Sequence, residues 1–243
     1  MEKLNRYTQF REEEQHQWNL SYKRGGNICF YPHEEIVRFI NKYVRKKVGI
    51  NHYYNIMDLT EKDWNSFTSL DVGCGIGRHV KFLDDFELNP IGIDLSDKAI
   101  AMGKEWFSSL GRNDLKEKLM IGSVDELPFE DNSFWICVSH GTLDSMIRET
   151  AEKGFKEILR VIKPNGLIYL DLIMALKDVD KEEIVDFGYE KGTVQSYFTI
   201  DSINKLIGSQ VETVDFKIIT WTDSEEKETN RRAHIVLKNC KSV

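Results

Sequence analysis

Cysteine is scarce in this sequence and shows no pairing. The 243 residues include 4 cysteines, and no two of them form a C-x-x-C motif. Zinc sites and disulfide frameworks depend on grouped cysteines, so we expect neither, and a reducing compartment such as the cytoplasm fits this usage. Residues 67–243 also lack metal-ligand spacings of the His-x-Glu kind and clustered aspartates, so no bound metal is expected.

Long apolar runs are missing as well. The most apolar run, residues 167–176, contains Asp171 and is much shorter than the roughly 20 residues that cross a bilayer. The first residues lead into the charged segment 11–14 without an apolar stretch, which is unlike a secretory signal peptide. We therefore expect a cytoplasmic protein without a membrane partner.

An excess of positive charge is missing too. The 33 Lys and Arg residues face 40 Asp and Glu residues, which gives a formal net charge of −7. Proteins that bind nucleic acids rely on a basic surface, so no nucleic-acid partner is expected. The length fits one α/β domain with additions.

A glycine-rich turn between two predicted strands is the most informative feature that is present. Residues 69–78 read Ser-Leu-Asp-Val-Gly-Cys-Gly-Ile-Gly-Arg, and residues 91–96 read Ile-Gly-Ile-Asp-Leu-Ser. The first segment predicts a strand, a turn and the start of a helix, and the second predicts a strand that ends on Asp94. Open α/β sheets bind nucleosides at the carboxyl ends of such strands.

The spacing of the glycines indicates which nucleoside binds. Gly73, Gly75 and Gly77 form G-x-G-x-G, whereas a dinucleotide fingerprint would have its third glycine at the position of Arg78. Asp71 precedes the turn, where a carboxylate would repel a pyrophosphate and attract an ammonium group. The turn therefore suits a nucleoside that carries an amino acid better than a dinucleotide.

These motifs resemble those of the class I (Rossmann-like) S-adenosylmethionine-dependent methyltransferases, in their small-molecule branch. Residues 93–96 are similar to the family's second motif, residues 122–129 to its third, and residues 134–141 to its fourth strand and exit loop. The resemblance covers roughly residues 67–240. It implies S-adenosyl-L-methionine as the cofactor and S-adenosyl-L-homocysteine as the product.

The resemblance also implies roles for individual residues. Asp94 would hold the ribose hydroxyls, and Asp125 would recognise the adenine amino group, although Asp125 could instead cap a turn. Cys74 would contribute its backbone rather than its thiol. The donor-binding residues implied in this way are Asp71, Gly73, Cys74, Gly75, Gly77, Asp94, Leu95, Ser123, Val124, Asp125 and His140.

Two residues are candidates for catalysis. His140 follows the predicted fourth strand, and an imidazole with an ordinary pKa near 6.5 could accept a proton from the methyl acceptor. It could instead only hydrogen-bond the donor or the backbone. Asp144 is the second candidate, with the N-cap of the following helix as its alternative role.

The order of strands and helices predicts an α/β three-layer sandwich. Its mostly parallel seven-stranded sheet would end with an antiparallel strand in a C-terminal hairpin, and a helical lid would precede it. Strands are predicted near residues 69–74, 90–94, 118–122, 134–139 and 167–173, and helices near 77–86, 97–109 and 146–162. Pro32 is predicted at the first position of a helix in the lid. Residues 1–66 would form the lid, residues 67–243 the core, and residues 175–198 an insertion over the substrate side.

A small polar metabolite is the expected methyl acceptor. The lid-like additions, the missing basic groove and the lack of an appended recognition domain favour a small molecule, and Arg24, Tyr31 and His33 are placed to cover it. The resemblance suggests O-methylation of a sugar- or phosphate-containing precursor of a cell-surface polymer. The alternatives are methylation of RNA or protein, and a non-catalytic partner protein that binds S-adenosylmethionine. Either a monomer or a homodimer is compatible with the sequence.

Overall fold

The computed structural model describes residues 2–177, 179–225 and 228–241. Residue 178 of the predicted insertion and residues 1, 242 and 243 at the predicted domain ends lie outside the described residues. The α-helices are α1 Glu2–Arg24, α2 Glu34–Phe39, α3 Glu61–Asn65, α4 Arg78–Asp84, α5 Asp97–Ser109, α6 Asn113–Lys116, α7 Arg148–Val161 and α8 Ile200–Ile207. The strands are β1 Arg45–Lys47, β2 Tyr53–Asn55, β3 Ser69–Val72, β4 Pro90–Asp94, β5 Leu119–Ile121, β6 Phe134–Ser139, β7 Ile162–Ile173, β8 Lys181–Ile184, β9 Val194–Tyr197, β10 Val211–Thr222 and β11 Glu228–Asn239.

Seven strands form the central sheet in the order β10-β11-β7-β6-β3-β4-β5. The five neighbouring strands β7, β6, β3, β4 and β5 pair in parallel. Strand β11 pairs antiparallel with both β7 and β10. Parallel neighbours need crossover connections, which the intervening helices provide. The predicted mostly parallel sheet with an antiparallel last strand is confirmed.

The sheet is the middle layer because its central strands are buried on both faces. All four residues of β3 are buried, including the polar Ser69 and Asp71. Phe155 and Ile158 of α7 belong to the apolar core on one side, and Phe39 of α2 belongs to the core on the other side. Such burial on two faces is typical of parallel sheets.

Capping side chains mark where several helices begin. Ser96 accepts a hydrogen bond from the N–H of Ala99, and α5 has the predicted bounds. Thr199 and Ser202 form a capping box at the start of α8. The start of α2 differs from the prediction. The sequence places Pro32 at the first helical position, but α2 begins at Glu34 and Pro32 lies outside the helix. The imidazole of His33 accepts the N–H of Glu35 and serves as the N-cap.

The N-terminal region is only partly helical. A π-helical turn, Ile40–Val44, continues α2, and an antiparallel hairpin of β1 and β2 follows it. The helix α1 lies against the carboxyl end of β4, where Gln15 donates a hydrogen bond to the backbone oxygen of Leu95 at 2.8 Å. Residues 175–198 contain a two-stranded ribbon of β8 and β9. Within the described residues, no helix has both the length and the apolar character needed to cross a membrane.

Candidate functional site

A cleft of about 610 Å³ lies where the carboxyl ends of β3, β4 and β6 meet the inner face of α1. Crevices at this edge of an open α/β sheet are the usual ligand sites of such folds. The predicted donor-binding residues that line this cleft are Gly73, Asp94, Leu95, Ser123 and Val124. The structure thus brings the ends of three predicted motifs together.

The turn after β3 requires glycine for two reasons. Gly73 and Gly75 have φ angles of 68° and 56°, in the left-handed region that other residues rarely adopt. A Cβ at Gly75 would lie 2.6 Å from the hydroxyl oxygen of Tyr22, and one at Gly73 would lie 2.2 Å from Oγ1 of Thr142. The turn therefore keeps its backbone open to the cleft and close to α1.

Asp94 joins the end of β4 to this turn. Its Oδ2 accepts the N–H of Gly75 at 2.8 Å, and its Oδ1 accepts the N–H of Ser96 at 2.8 Å. Burial raises the pKa of Asp94 to about 6, and these two N–H groups counter part of that rise. Each carboxylate oxygen retains a further lone pair, so both are able to accept a ligand hydroxyl.

Asp71 lies behind the glycine turn, outside the lining of the cleft. It is buried, its Oδ1 lies 3.7 Å from Nδ1 of His79, and its Oδ2 has no hydrogen-bond partner among the described residues. Burial raises the pKa of Asp71 to about 8. A cation on the other side of the turn would favour ionisation of this carboxyl group.

Asp125 forms an ion pair with Arg11 of α1. Nη2 of Arg11 lies 3.2 Å from both carboxylate oxygens, and the hydroxyl of Ser123 also donates to Oδ1. The Asp125 side chain is 2% exposed and is not part of the cleft lining. Sequence reasoning missed Arg11, because its position depends on how α1 docks against a residue 114 positions away in the chain.

A second cavity, of about 1040 Å³, adjoins this first cleft and shares Trp18, Tyr22, Gly73, Gly141 and Ser145 with it. Its lining includes the predicted turn residues Cys74 and Gly75 and the catalytic candidate His140. Other polar side chains that line it include Asn27, Arg78, His79, Glu190, Gln195 and Arg232. This cavity therefore has the chemistry of a site for a polar molecule.

His140 lies at the end of β6 beside a buried carboxylate. Its Nε2 is 3.7 Å from Oδ2 of Asp171, whose Oδ1 accepts the N–H of Gly141 at 2.8 Å. Burial lowers the pKa of His140 to about 3, and Asp171 opposes this only in part, so the imidazole is neutral at physiological pH. Burial disfavours the ionised form of Asp171, but His140 and Arg232 outweigh it and hold the pKa of that carboxyl below its usual range.

Asp144 is not a helix cap. Ile147 is the N-cap residue of α7, so the predicted capping role of Asp144 is wrong. The carboxylate of Asp144 is fully buried and lies 3.0 Å from Nη1 of Arg232, which also donates to Asp171 at 2.8 Å. Asp144 therefore orients Arg232 and does not itself line either cavity.

The lid residues named from the sequence have different positions. The ring centroids of His33 and His140 are 4.2 Å apart. The backbone N–H of His33 donates to Nε2 of His79 at 3.3 Å. Tyr31 is 81% exposed. Arg24 donates hydrogen bonds to backbone oxygens of Tyr189 and Lys191 in the 175–198 segment, and thereby connects the two additions.

Several residues of the second cavity were missed by sequence reasoning. They are His79, Gln195 and Arg232 in its lining, and Asp171, which is buried against His140 and Arg232. His79 directly follows the glycine motif and could have been found there, whereas Arg232 depends on the pairing of β11 with β7. Among the described residues, no three His, Cys, Asp or Glu side chains are arranged to hold a metal ion.

The comparisons with known proteins agree with this geometry. Residues 70–170 match the model of a methyltransferase domain. Sterol 4-C-methyltransferase of Caenorhabditis elegans is 27% identical over 165 residues, which are 65% of this chain and 45% of that protein. Demethylmenaquinone methyltransferase of Staphylococcus aureus is 30% identical over 153 residues, which are 60% of this chain and 53% of that protein. The chain spans about half the length of these curated relatives.

A solved structure shows the same fold. An S-adenosylmethionine-dependent methyltransferase from Methanosarcina mazei superposes with a TM-score of 0.60 at 19% identity, over 76% of this chain and 100% of that one. The matched residues 70–170 include the glycine turn and Asp94. The chain therefore contains a methyltransferase domain at residues 70–170 and has the fold of the S-adenosylmethionine-dependent class I methyltransferases.

Proposed function

We propose that this protein transfers a methyl group from S-adenosyl-L-methionine to a small polar metabolite and releases S-adenosyl-L-homocysteine. The continuity of the two cavities carries this proposal. We take the first cleft as the donor cleft and refer to the second cavity as the polar cavity. The two meet at Gly73 and Tyr22, which line both. An acceptor in the polar cavity would thus lie next to the reacting end of the donor.

The residues of the cleft fit this donor. Asp94 offers two acceptor atoms for the ribose hydroxyls, and Leu95 and Val124 offer apolar surface for the adenine. Gly73 and Gly75 let the backbone approach the methionine part, and Asp71 behind them favours its ammonium group. The remaining proposed contacts come from the backbones of Cys74 and Gly77, from Ser123 and from His140.

The bound donor would supply an activated methyl group, whose bond to sulfur breaks as the acceptor lone pair forms the new bond. Trp18 and Tyr22 of α1 border both cavities and exclude water from the region between them. The neutral His140 accepts a hydrogen bond from the acceptor hydroxyl and takes its proton during transfer. Asp171, 3.7 Å away, stabilises the imidazolium that results.

The charged groups of the polar cavity support an anionic acceptor. Arg232 is balanced by Asp144 and Asp171, whereas Arg78 has no carboxylate partner among the described residues. A guanidinium group without a carboxylate partner suits a phosphate or a carboxylate. We therefore retain O-methylation of a sugar- or phosphate-containing precursor. Its use in a cell-surface polymer rests on the family resemblance alone.

The way in which a transferred label is distributed tests this proposal. The purified protein is incubated with methyl-labelled S-adenosylmethionine and, separately, with a nucleotide-linked metabolite pool, total RNA and total protein. We expect label in the metabolite fraction together with S-adenosylhomocysteine. Label in macromolecules only, or donor that binds without conversion, would overturn the proposal.

A further inference from the structure

One face of α1 lies along the donor cleft. The side chains at positions 11, 14, 15, 18 and 22 recur with helical spacing and so share one side of the helix. Arg11 holds Asp125 at one end, and the hydroxyl of Tyr22 lies against Gly75 at the other. Gln15 binds the backbone of Leu95 between them. The helix α1 therefore covers the cleft from one end to the other.

Glu14 differs from its neighbours on this face of α1. Its side chain lines the cleft with Asp94, Leu95 and Val124, yet it forms no hydrogen bond or ion pair with the described residues. Burial raises the pKa of Glu14 to about 7, and Arg11 opposes this only in part. A carboxyl group removed from water without a partner costs stability. Such a group in a cleft points to a partner on the ligand.

The adenosine part of the donor has two kinds of hydrogen-bond donor, the ribose hydroxyls and the adenine amino group. Asp94 has the acceptor atoms for the two ribose hydroxyls. Asp125, which the third motif implies for the adenine amino group, is already held by Arg11 and Ser123 and lies outside the cleft lining. Apart from Asp94, Glu14 is the only carboxylate among the described residues that line the cleft, so it is the strongest acceptor left for the adenine amino group.

We propose that Glu14 accepts a hydrogen bond from the adenine amino group of the bound donor. The lid helix is then a binding element for the nucleoside as well as its cover. The pairing of Arg11 with Asp125 contributes indirectly, because it docks α1 and leaves Glu14 as the acceptor that faces the adenine. This inference rests on the proposed function, since it takes the donor to be S-adenosylmethionine.

Calorimetric titration with two ligands tests the assignment. One is S-adenosylhomocysteine, and the other is S-inosylhomocysteine, in which an oxygen replaces the adenine amino group. A hydrogen bond to a charged group corresponds to a preference of roughly 10- to 150-fold, so we expect the unaltered protein to favour the adenosine ligand by that factor. Glu14→Ala should reduce the preference to within about threefold. Glu14→Gln should retain part of it, because the amide oxygen still accepts.

Glu12 provides the matched control. It is exposed on α1, so Glu12→Ala should leave both affinities and the preference unchanged. A full preference that persists in Glu14→Ala would overturn the inference and leave the proposed function intact. An unaltered protein that binds neither ligand would overturn both. Thermal unfolding shows whether each variant folds, and the isosteric Glu14→Gln supplies the comparison should Glu14→Ala not fold.

Discussion

The carboxylate of Asp94 accepts the backbone N–H of Gly75 at 2.8 Å, across the gap between β4 and the turn that follows β3. This contact fixes the shape of the turn and the position of the carboxylate together. Replacement of Asp94 would therefore remove the proposed ribose contact and loosen the glycine turn. The two effects act on the same ligand.

Asp94→Ala should weaken S-adenosylmethionine binding by at least the roughly 10- to 150-fold that a charge-assisted hydrogen bond provides. Isothermal titration measures this directly. The exposed Asp201 lies on α8, which contributes no residue to the cleft lining, and Asp201→Asn serves as the control with unchanged affinity. An Asp94→Ala protein with normal affinity would contradict the assignment of the ribose contact.

Gly75→Ala should weaken donor binding and lower the unfolding temperature. The new methyl group would be strained at a φ of 56° and would lie 2.6 Å from the Tyr22 hydroxyl. Adding Tyr22→Phe removes the hydroxyl and should restore part of both losses. Gly111→Ala is the matched control, because Gly111 has a φ of 71° but nothing within 4 Å of its Cβ position.

This comparison separates backbone strain from the contact with α1. Gly111→Ala should cost about 1–2 kcal/mol of unfolding free energy and leave donor affinity unchanged. A double variant that is no better than Gly75→Ala alone would show that Tyr22 does not limit the turn. Differential scanning fluorimetry and donor titration together measure both quantities.

Asp71→Asn should stabilise the donor-free protein at about pH 8 while weakening donor binding. The folded protein keeps the proton on Asp71 up to about pH 8, whereas the unfolded chain releases it near pH 3.9. The unfolded state thus binds fewer protons between these values, so the stability of the unaltered protein falls as pH rises through this range. Removing the ionisable group removes that loss, on the order of a few kcal/mol at about pH 8.

Urea unfolding at about pH 5 and about pH 8 tests the sign of this effect. The stability gain of Asp71→Asn should be larger at the higher pH and should shrink as pH falls toward 3.9. A gain that is independent of pH would mean that Asp71 is not protonated in the folded protein. Loss of donor affinity in the same variant would link the buried acid to the ligand.

His140→Asn should lower kcat by about 100-fold or more and weaken donor binding far less, because the imidazole is proposed as the base and is only one of several donor contacts. The imidazole lies in the acceptor cavity and is already neutral above about pH 3, because burial lowers its pKa. The pH profile of kcat/KM should therefore show no fall around pH 6.5 that His140 controls. A fall there that disappears in His140→Asn would contradict the neutral imidazole. His52→Asn, at an exposed histidine, is the control.

The local parts of the fold could be predicted from the sequence. The bounds of α5 follow from Ser96, whose hydroxyl caps the helix, and the end of β4 at Asp94 follows from the apolar run before it. The parallel order of the first strands follows from their alternation with helices. These features depend on residues close together in the chain, where capping and periodicity are informative.

The composition of the second cavity could not be predicted in the same way. Arg232 reaches Asp171 only because β11 pairs with β7 in one register, Arg232 with Ile173, and a bulge between Thr213 and Asp215 adjusts the neighbouring strand. Contacts of this kind follow from tertiary packing, which overrides local preference. The same holds for Arg11 and Asp125, which are joined by the docking of α1.

The stoichiometry of one turnover tests the central proposal most directly. The protein is mixed with equimolar labelled S-adenosylmethionine and the metabolite fraction, and both products are measured by mass spectrometry. Methyl transfer predicts S-adenosylhomocysteine and methylated metabolite in equal amounts, and much less of both products with Asp94→Ala at the same donor concentration. A protein that holds the donor firmly but yields no S-adenosylhomocysteine with any fraction would contradict the proposal and identify a binding protein instead.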